Sequence, residues 1–284
     1  MSQAFAQKSD FEVDSLKRDR LWLTSGGLIG GAAISYVGLG TLWYNNYPRS
    51  GFHFFNDNNE WLQMDKVGHA MTSYYLGVAG YNSLRWSGVN QKTSLIVGGG
   101  LGFFYLTGVE LFDAYSSEWG FSPGDEMANL GGTLLFIGQQ WIWNEQRIRL
   151  KYSFHPTDYS NFRPDVLGKN LIQQSLKDYN GQTYWLSLNI SSFMKEDNRF
   201  PKWLNLAVGY GAEGMISASP DVSVVPKFNR YRQYYFSLDI DLSKIRSRNK
   251  TVNTIKNIFN FIKIPFPTVE YSVDKAWFVH PLFF

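Results

Sequence analysis

The side chains of this 284-residue chain that could do chemistry fall in two places. The first is Asp65-Lys66-Val67-Gly68-His69, at the entry to a helical stretch. The second runs from Glu110 and Asp113 to Ser122-Pro123-Gly124-Asp125 and Asn129. Asp65 and His69 are four apart, Glu110 and Asp113 three apart, Asp125 and Asn129 four apart, so each pair shares a helix face. Carboxylate and imidazole donors of this kind hold a metal or handle protons. A structural reading competes, in which Asp65, His69 and Asn129 cap and cross-link helix ends while Lys66 neutralises a carboxylate. Only one histidine belongs to the cluster, which argues against a zinc hydrolase, and ion-pair networks imitate sites. The structural reading is therefore preferred to binding or transport, and both to catalysis. No Ser-His-Asp arrangement, P-loop or dinucleotide fingerprint is present, and His53, His155 and His280 are scattered.

Positioning these residues falls to an N-terminal half that is rich in glycine and poor in charge. Of the 26 glycines, 21 precede residue 150, and no side chain from Leu21 to Pro48 is charged. That stretch exceeds the ~20 residues that cross a bilayer. Val67–Leu84, Thr93–Val109 and Met127–Asn144 are shorter uncharged stretches, giving about four helices. Gly26, Gly27, Gly30 and Gly31, and again Gly98 and Gly102, have the spacing that lets helix backbones approach closely in lipid. Ser122 suits an N-cap, Pro123 the first helical position, and Asp125 the capping-box spacing. If the helices run up and down, the six cluster residues gather at one end of the bundle.

Residues 152–284 read differently. Asp165–Tyr179 and Thr251–Ile264 have helical patterns. Thr183–Met194, Trp203–Gly211 and Tyr231–Leu242 alternate with period two, as does the end of the chain, Val269–Phe284. Four or five strands are too few for a barrel, which needs about eight, so Asp165–Tyr179 or Thr251–Ile264 is expected to cover the sheet. The fold class expected is α+β, a membrane-associated bundle of about four Gly-rich helices (21–151) followed by a small antiparallel strand-rich region with two short helices (152–284). Residues 1–20 form an N-terminal segment in which Ala4-Phe5-Ala6 has the small-x-small form of a signal-peptide remnant.

The polar motifs Asp65-Lys66…His69, Glu110…Asp113 and Asp125…Asn129-Leu130-Gly131 resemble the DUF2279 (YfiM-like) family of predicted envelope lipoproteins. More distantly they resemble VanZ-like membrane proteins, associated with glycopeptide tolerance. The resemblance covers about residues 60–145 and implies no activity. The chain has no cysteine, so the lipoprotein label does not carry over. The absence also excludes disulfides, thiolate metal sites and cysteine nucleophiles.

A net charge of +3 without a basic block excludes a nucleic-acid-binding face. Aromatic residues, 17 % of the chain, suit membrane interfaces. Basic segments before the first stretch, at Arg85 and Lys92, and at Arg147, Arg149 and Lys151 would place both termini in the cytoplasm. A cleaved signal would invert that topology, and the conflict disappears at the outer membrane, which the aromatic strands and Phe284 favour. The expectation is thus a cell-envelope membrane protein with a structural or partner-binding role. The alternative is an integral membrane enzyme or transport-linked protein acting on envelope lipid or glycan. Membrane lipid and an envelope protein are the expected partners, and no cofactor is expected.

Overall fold

The structure is a computed structural model and describes all residues except 1–15, 43, 196, 221–225 and 274–275. Ala4-Phe5-Ala6 lies outside the described residues. The chain divides into two compact units, Met1–Asp57 with His69–Asn144, and Asn58–Gly68 with Glu145–Phe284. The class is α+β.

The first unit is helical: α1 (Arg18–Leu42), most of α2 (Met64–Trp86), α3 (Gln91–Thr93), α4 (Leu101–Ala114) and α5 (Pro123–Trp143). A π-helical turn, Ser94–Gly98, joins α3 to α4. Two helical spans, Arg18–Thr41 and Gln91–Ala114, are long and apolar enough to cross a membrane. The uncharged stretches that become α2 and α5 are not among them, because Ser, Thr, Asn and Gln dilute them. Buried Tyr74, Tyr81 and Phe136 pack edge to face at the centre of this unit.

Glycine sets the spacing of the helices, though only at some of the expected positions. A Cβ on Gly102 would stand 2.1 Å from the Ser73 carbonyl oxygen, and one on Gly132 would stand 1.9 Å from that of Ala70. Helices α4 and α5 therefore meet α2 backbone to backbone. The glycines of α1 do not act in this way. Gly26, Gly27, Gly30 and Gly31 have no atom within 4 Å of a Cβ position, so the small-residue pattern there marks no contact among the described residues. Helix α1 touches its unit through Thr24 on Ser87 (2.8 Å) and Tyr36, whose hydroxyl donates to the Tyr105 carbonyl (2.6 Å). Arg20 also lies over the Trp86 ring at 4.7 Å.

The second unit holds one antiparallel sheet of six strands, in the order β1 (Ile148–Phe154), β2 (Gln182–Asn189), β3 (Leu204–Glu213), β4 (Tyr231–Ile240), β5 (Phe266–Ser272) and β6 (Ala276–Phe283). That is more than the four or five strands expected. The addition is β1, whose Arg149 and Lys151 resemble the basic flank that follows a membrane helix. Strand β1 spans the boundary expected at residue 151, and its basic residues face inward instead. Lys151 is fully buried and its ammonium lies 2.7 Å from the Asp239 carboxylate on β4. Strands β1 and β4 are three spacings of about 4.8 Å apart along a sheet, so the sheet must roll for this pair to meet. The roll also brings the chain before β5 to the free edge of β1, where Tyr152 N–H donates to the Phe261 carbonyl and Lys263 N–H to that of Tyr152.

Inside the roll the groups are polar. Ser187 donates to Asp239 (2.6 Å), Asn205 to Ser187 (2.8 Å) and Asn189 to Asn205 (2.6 Å), while His280 pairs with Glu270 (2.6 Å). Trp185 packs among them, with its indole N–H on Ser153 and the Lys263 ammonium 4.8 Å from its ring. The apolar face points out. Val208, Phe236, Val279 and Leu282 are more than half exposed.

The expected covering by either helical segment is not met. Asp165–Tyr179 breaks at Gly168 (φ +105°) into α6 (Pro164–Leu167) and α7 (Leu171–Lys177). Helix α7 accepts the Tyr152 hydroxyl at the β1 end, but its own Ile172 and Leu176 are exposed. Helix α8 (Lys250–Phe259) is amphipathic and leaves Val252, Ile255, Ile258 and Phe259 exposed. Apolar side chains on both helices and on the sheet thus point away from the unit.

The glycine contacts make a direct test. Gly132→Val must push backbones apart, and overpacking of this kind costs about 1–3 kcal/mol or more, so it is expected to lower the midpoint of the thermal transition of the purified protein by at least several degrees. Gly30→Ala is expected to leave the transition unchanged, read by circular dichroism.

Candidate functional site

The centre of the polar cluster is His69, in the second turn of α2. Asn129, fully buried on α5, offers its side-chain oxygen to His69 Nδ1 at 3.0 Å. An oxygen acceptor there places the ring proton on Nδ1. Nε2 is then turned to Glu110 Oε1 and Asp125 Oδ1, each 4.0 Å away. The side-chain amide nitrogen of Asn129 meets no acceptor among the described residues.

Glu110 and Asp125 are held by the start of α5. Ser122 caps that helix, its hydroxyl accepting the Asp125 N–H at 3.1 Å, as the capping-box spacing requires. The Ser122 N–H donates to Glu110 Oε2 at 3.0 Å, and its hydroxyl donates to Asp57 at 2.6 Å. A single cap residue thereby ties α4, α5 and the 52–57 segment together. Its role as a cap was legible from the sequence. Its hold on Glu110 and Asp57 was not, because it uses a backbone N–H and a residue 65 positions away.

Asp113 lies one turn beyond Glu110 and accepts the Tyr44 hydroxyl at 2.7 Å. Burial, with the Asp113 carboxylate beside it, raises the Tyr44 pKa well above its usual value, so the hydroxyl stays a donor. Tyr44 had no sequence signal, being one of many aromatic residues in a loop. It also borders an open pocket of about 440 Å³ shared with Tyr36, Arg49, Gly108, Phe112 and Tyr115. Glu126 accepts the Thr107 hydroxyl at 3.2 Å, and burial raises its carboxyl pKa against the lowering effects of Thr107 and His69.

Asp65 and Lys66 belong to the second unit, where the Lys66 ammonium lies 3.0 Å from the Asp65 carboxylate. His69, Glu110, Asp113, Asp125 and Asn129 belong to the first unit.

Chemically, His69 Nε2 and one oxygen each from Glu110 and Asp125 lie within 4.8 Å of one another. One imidazole and two carboxylates form a donor set that a divalent cation accepts, with Asn129 orienting the ring from behind. As a purely structural group, the same residues hold α2, α4 and α5 in register. No nucleophile faces the group among the hydrogen bonds and ion pairs described, and no reaction follows from its geometry.

Residues 52–137 match the DUF2279 family, described as a predicted periplasmic lipoprotein. No curated protein matches the chain, and no solved structure does. The family region contains His69, Glu110, Asp113, Asp125 and Asn129, and ends within α5.

Buried Glu110 lies within 4.8 Å of the Asp125 carboxylate, where desolvation and the neighbouring charge both disfavour its ionised form. Glu110→Gln removes that cost and retains an acceptor for the Ser122 N–H. It is expected to raise the melting temperature by a few degrees, whereas His69→Ala, which strands buried Asn129, is expected to lower it. A fall in Glu110→Gln, matched by the parent protein in a chelator, would show that a bound cation balances the charges instead.

Proposed function

We propose that this DUF2279 protein is held in a membrane of the bacterial cell envelope, at the outer membrane, with a structural or partner-binding role and no catalysis of its own. The observation that carries the reading is α1. At 25 residues it is about 37 Å long against a hydrocarbon core of about 30 Å. Only 6 % of its apolar window is buried within the chain. Trp22, Leu23, Ile29, Ile34 and Val37 are more than 60 % exposed among the described residues. In water a patch of this size is an aggregation surface. In lipid it carries no such cost.

The family's description supports the envelope as compartment, and the strand-rich second unit supports the outer membrane over the inner one. The role is read as structural because the polar cluster is built from a helix cap, an Asn–His hydrogen bond and interhelix contacts. Those features fix helices and present no reacting group.

Alkaline-carbonate extraction tests the reading. The protein is expected in the pellet and, after density fractionation, with the outer-membrane marker. An Ile29→Lys, Ile34→Lys double variant is expected to shift towards the supernatant. Complete recovery of the parent protein in the supernatant would defeat the membrane reading, and co-fractionation with an inner-membrane marker would defeat the outer-membrane part alone.

A further inference from the structure

The rolled sheet of the second unit has its polarity inverted, and its outward surface is zoned. Register places Leu150, Leu186, Val208, Phe236, Val269 and Val279 in one row across all six strands, of which Leu150 is buried and Leu186, Val208, Phe236 and Val279 are exposed. The next row on one side is Tyr152, Tyr184, Tyr210, Tyr234, Tyr271 and Trp277; Tyr184 is buried, Tyr152 and Tyr210 bond the Ser175 and Leu62 carbonyls, and Tyr234, Tyr271 and Trp277 form its exposed, polar-tipped part. On the other side come Ile148, Leu188, Leu206 and Leu238, and then Leu204 with Ile240. None of these positions is charged.

Charge returns at both rims. Beyond the tyrosine row, Arg232 donates to the Tyr210 hydroxyl at 3.1 Å. Near the opposite rim lie exposed Phe193 and Trp203, and the Arg147 guanidinium stacks over the Phe193 ring at 5.3 Å.

We infer that this outward face lies against the hydrocarbon of a lipid bilayer. An aliphatic band bordered by amphipathic aromatic rings, with arginines at the edges, follows the depth profile of a membrane. A protein partner would require no such zoning. The dimensions agree. Strands β3 and β4 have ten residues each, about 33 Å at ~3.3 Å per residue. Tilted by about 45°, they present about 23 Å, close to the ~25 Å apolar band of membrane strands. The interior satisfies its own polar groups through Lys151, Asp239, Ser187, Asn205 and Glu270, so little is lost by removing water from outside. Hydrocarbon does not tolerate an open ladder. Strand β6, whose outer edge meets no strand among the described residues, therefore marks the boundary of the lipid-facing surface. The inference rests on the membrane reading above for the presence of a bilayer, but its evidence comes from the sheet and not from α1.

The chain contains no cysteine, so single-cysteine labelling carries no background. Val208→Cys, Phe236→Cys and Val279→Cys would each carry an environment-sensitive fluorophore in the full-length protein. Ile29→Cys on α1 and exposed Lys169→Cys serve as comparisons. The host is phosphatidylethanolamine/phosphatidylglycerol vesicles with spin-labelled acyl chains. The expected result is a blue-shifted emission at 208, 236 and 279, quenched at least twofold more by the lipid spin label than at 169 and protected from aqueous iodide. Quenching by iodide at 208 and 236 equal to that at 169 would overturn the inference. Protection from both quenchers would overturn it too, because a protein would then cover the face. If position 29 is quenched by lipid and the sheet positions are not, the sheet inference fails while the membrane reading stands. If the sheet positions alone are quenched, α1 loses its assigned role and the sheet inference stands. Quenching of native Trp277 in an otherwise unsubstituted chain would not depend on the folding of any variant, but ten tryptophans share the signal. A Trp277→Phe difference measurement isolates it, and the absence of any lipid-quenched component in that difference would likewise count against the inference.

Discussion

The ion pair between Lys151 and Asp239 governs the second unit. Both groups are fully buried at 2.7 Å, and isolated charges in such a place would cost several kcal/mol each. The pair is tolerable only because Ser187 and the Ile240 carbonyl complete its hydrogen bonds. It joins strands three places apart, so the sheet must roll to form it. Once rolled with polar side chains inside, the period-two pattern of every strand sends its apolar residues outward. Replacing one member would leave a buried charge without its counter-ion, a larger loss than most apolar truncations.

Backbone proximity plays the corresponding part in the first unit. Gly102 and Gly132 let α4 and α5 reach α2 at distances no side chain allows. That proximity is what brings His69 within reach of Asn129, Glu110 and Asp125. The polar cluster is therefore a consequence of close helix packing as well as a brace for it. The Ser122 cap adds the second constraint, since it fixes where α5 begins and holds Glu110 by a main-chain N–H. The same contacts hold α2, α4 and α5 in register.

Much of this was legible in the residues. Helical spacing put Glu110 with Asp113 and Asp125 with Asn129 on shared faces, Ser122-Pro123 marked the start of α5, and alternation marked β3 and β4. Strand β1 was not legible, because Ile-Arg-Leu-Lys-Tyr alternates apolar with basic residues and reads equally well as the charged tail of a preceding helix. The small-residue pattern of α1 was misleading for a different reason. Glycine spacing records that a close approach is permitted, and among the described residues nothing approaches Gly26, Gly27, Gly30 or Gly31. Tyr44 and Asp57 had no local signal because their partners lie more than 60 residues away.

The sequence by itself determined the period of each element, the uncharged length of α1, the α+β class and the likeness of residues 52–137 to DUF2279. These are local properties, set by side-chain chemistry and by repeats of 3.6 or 2. It could not determine which face of a strand is inside, since alternation of Tyr, Phe and Leu with Ser, Gln and Asp is the same string whichever face is turned to the interior. Tertiary structure decided that through the long-range pairing of Lys151 with Asp239, and the same kind of contact decided which carboxylates face His69. Both outcomes depend on distances between residues remote in the chain, and those distances exist only once the backbone has closed around them.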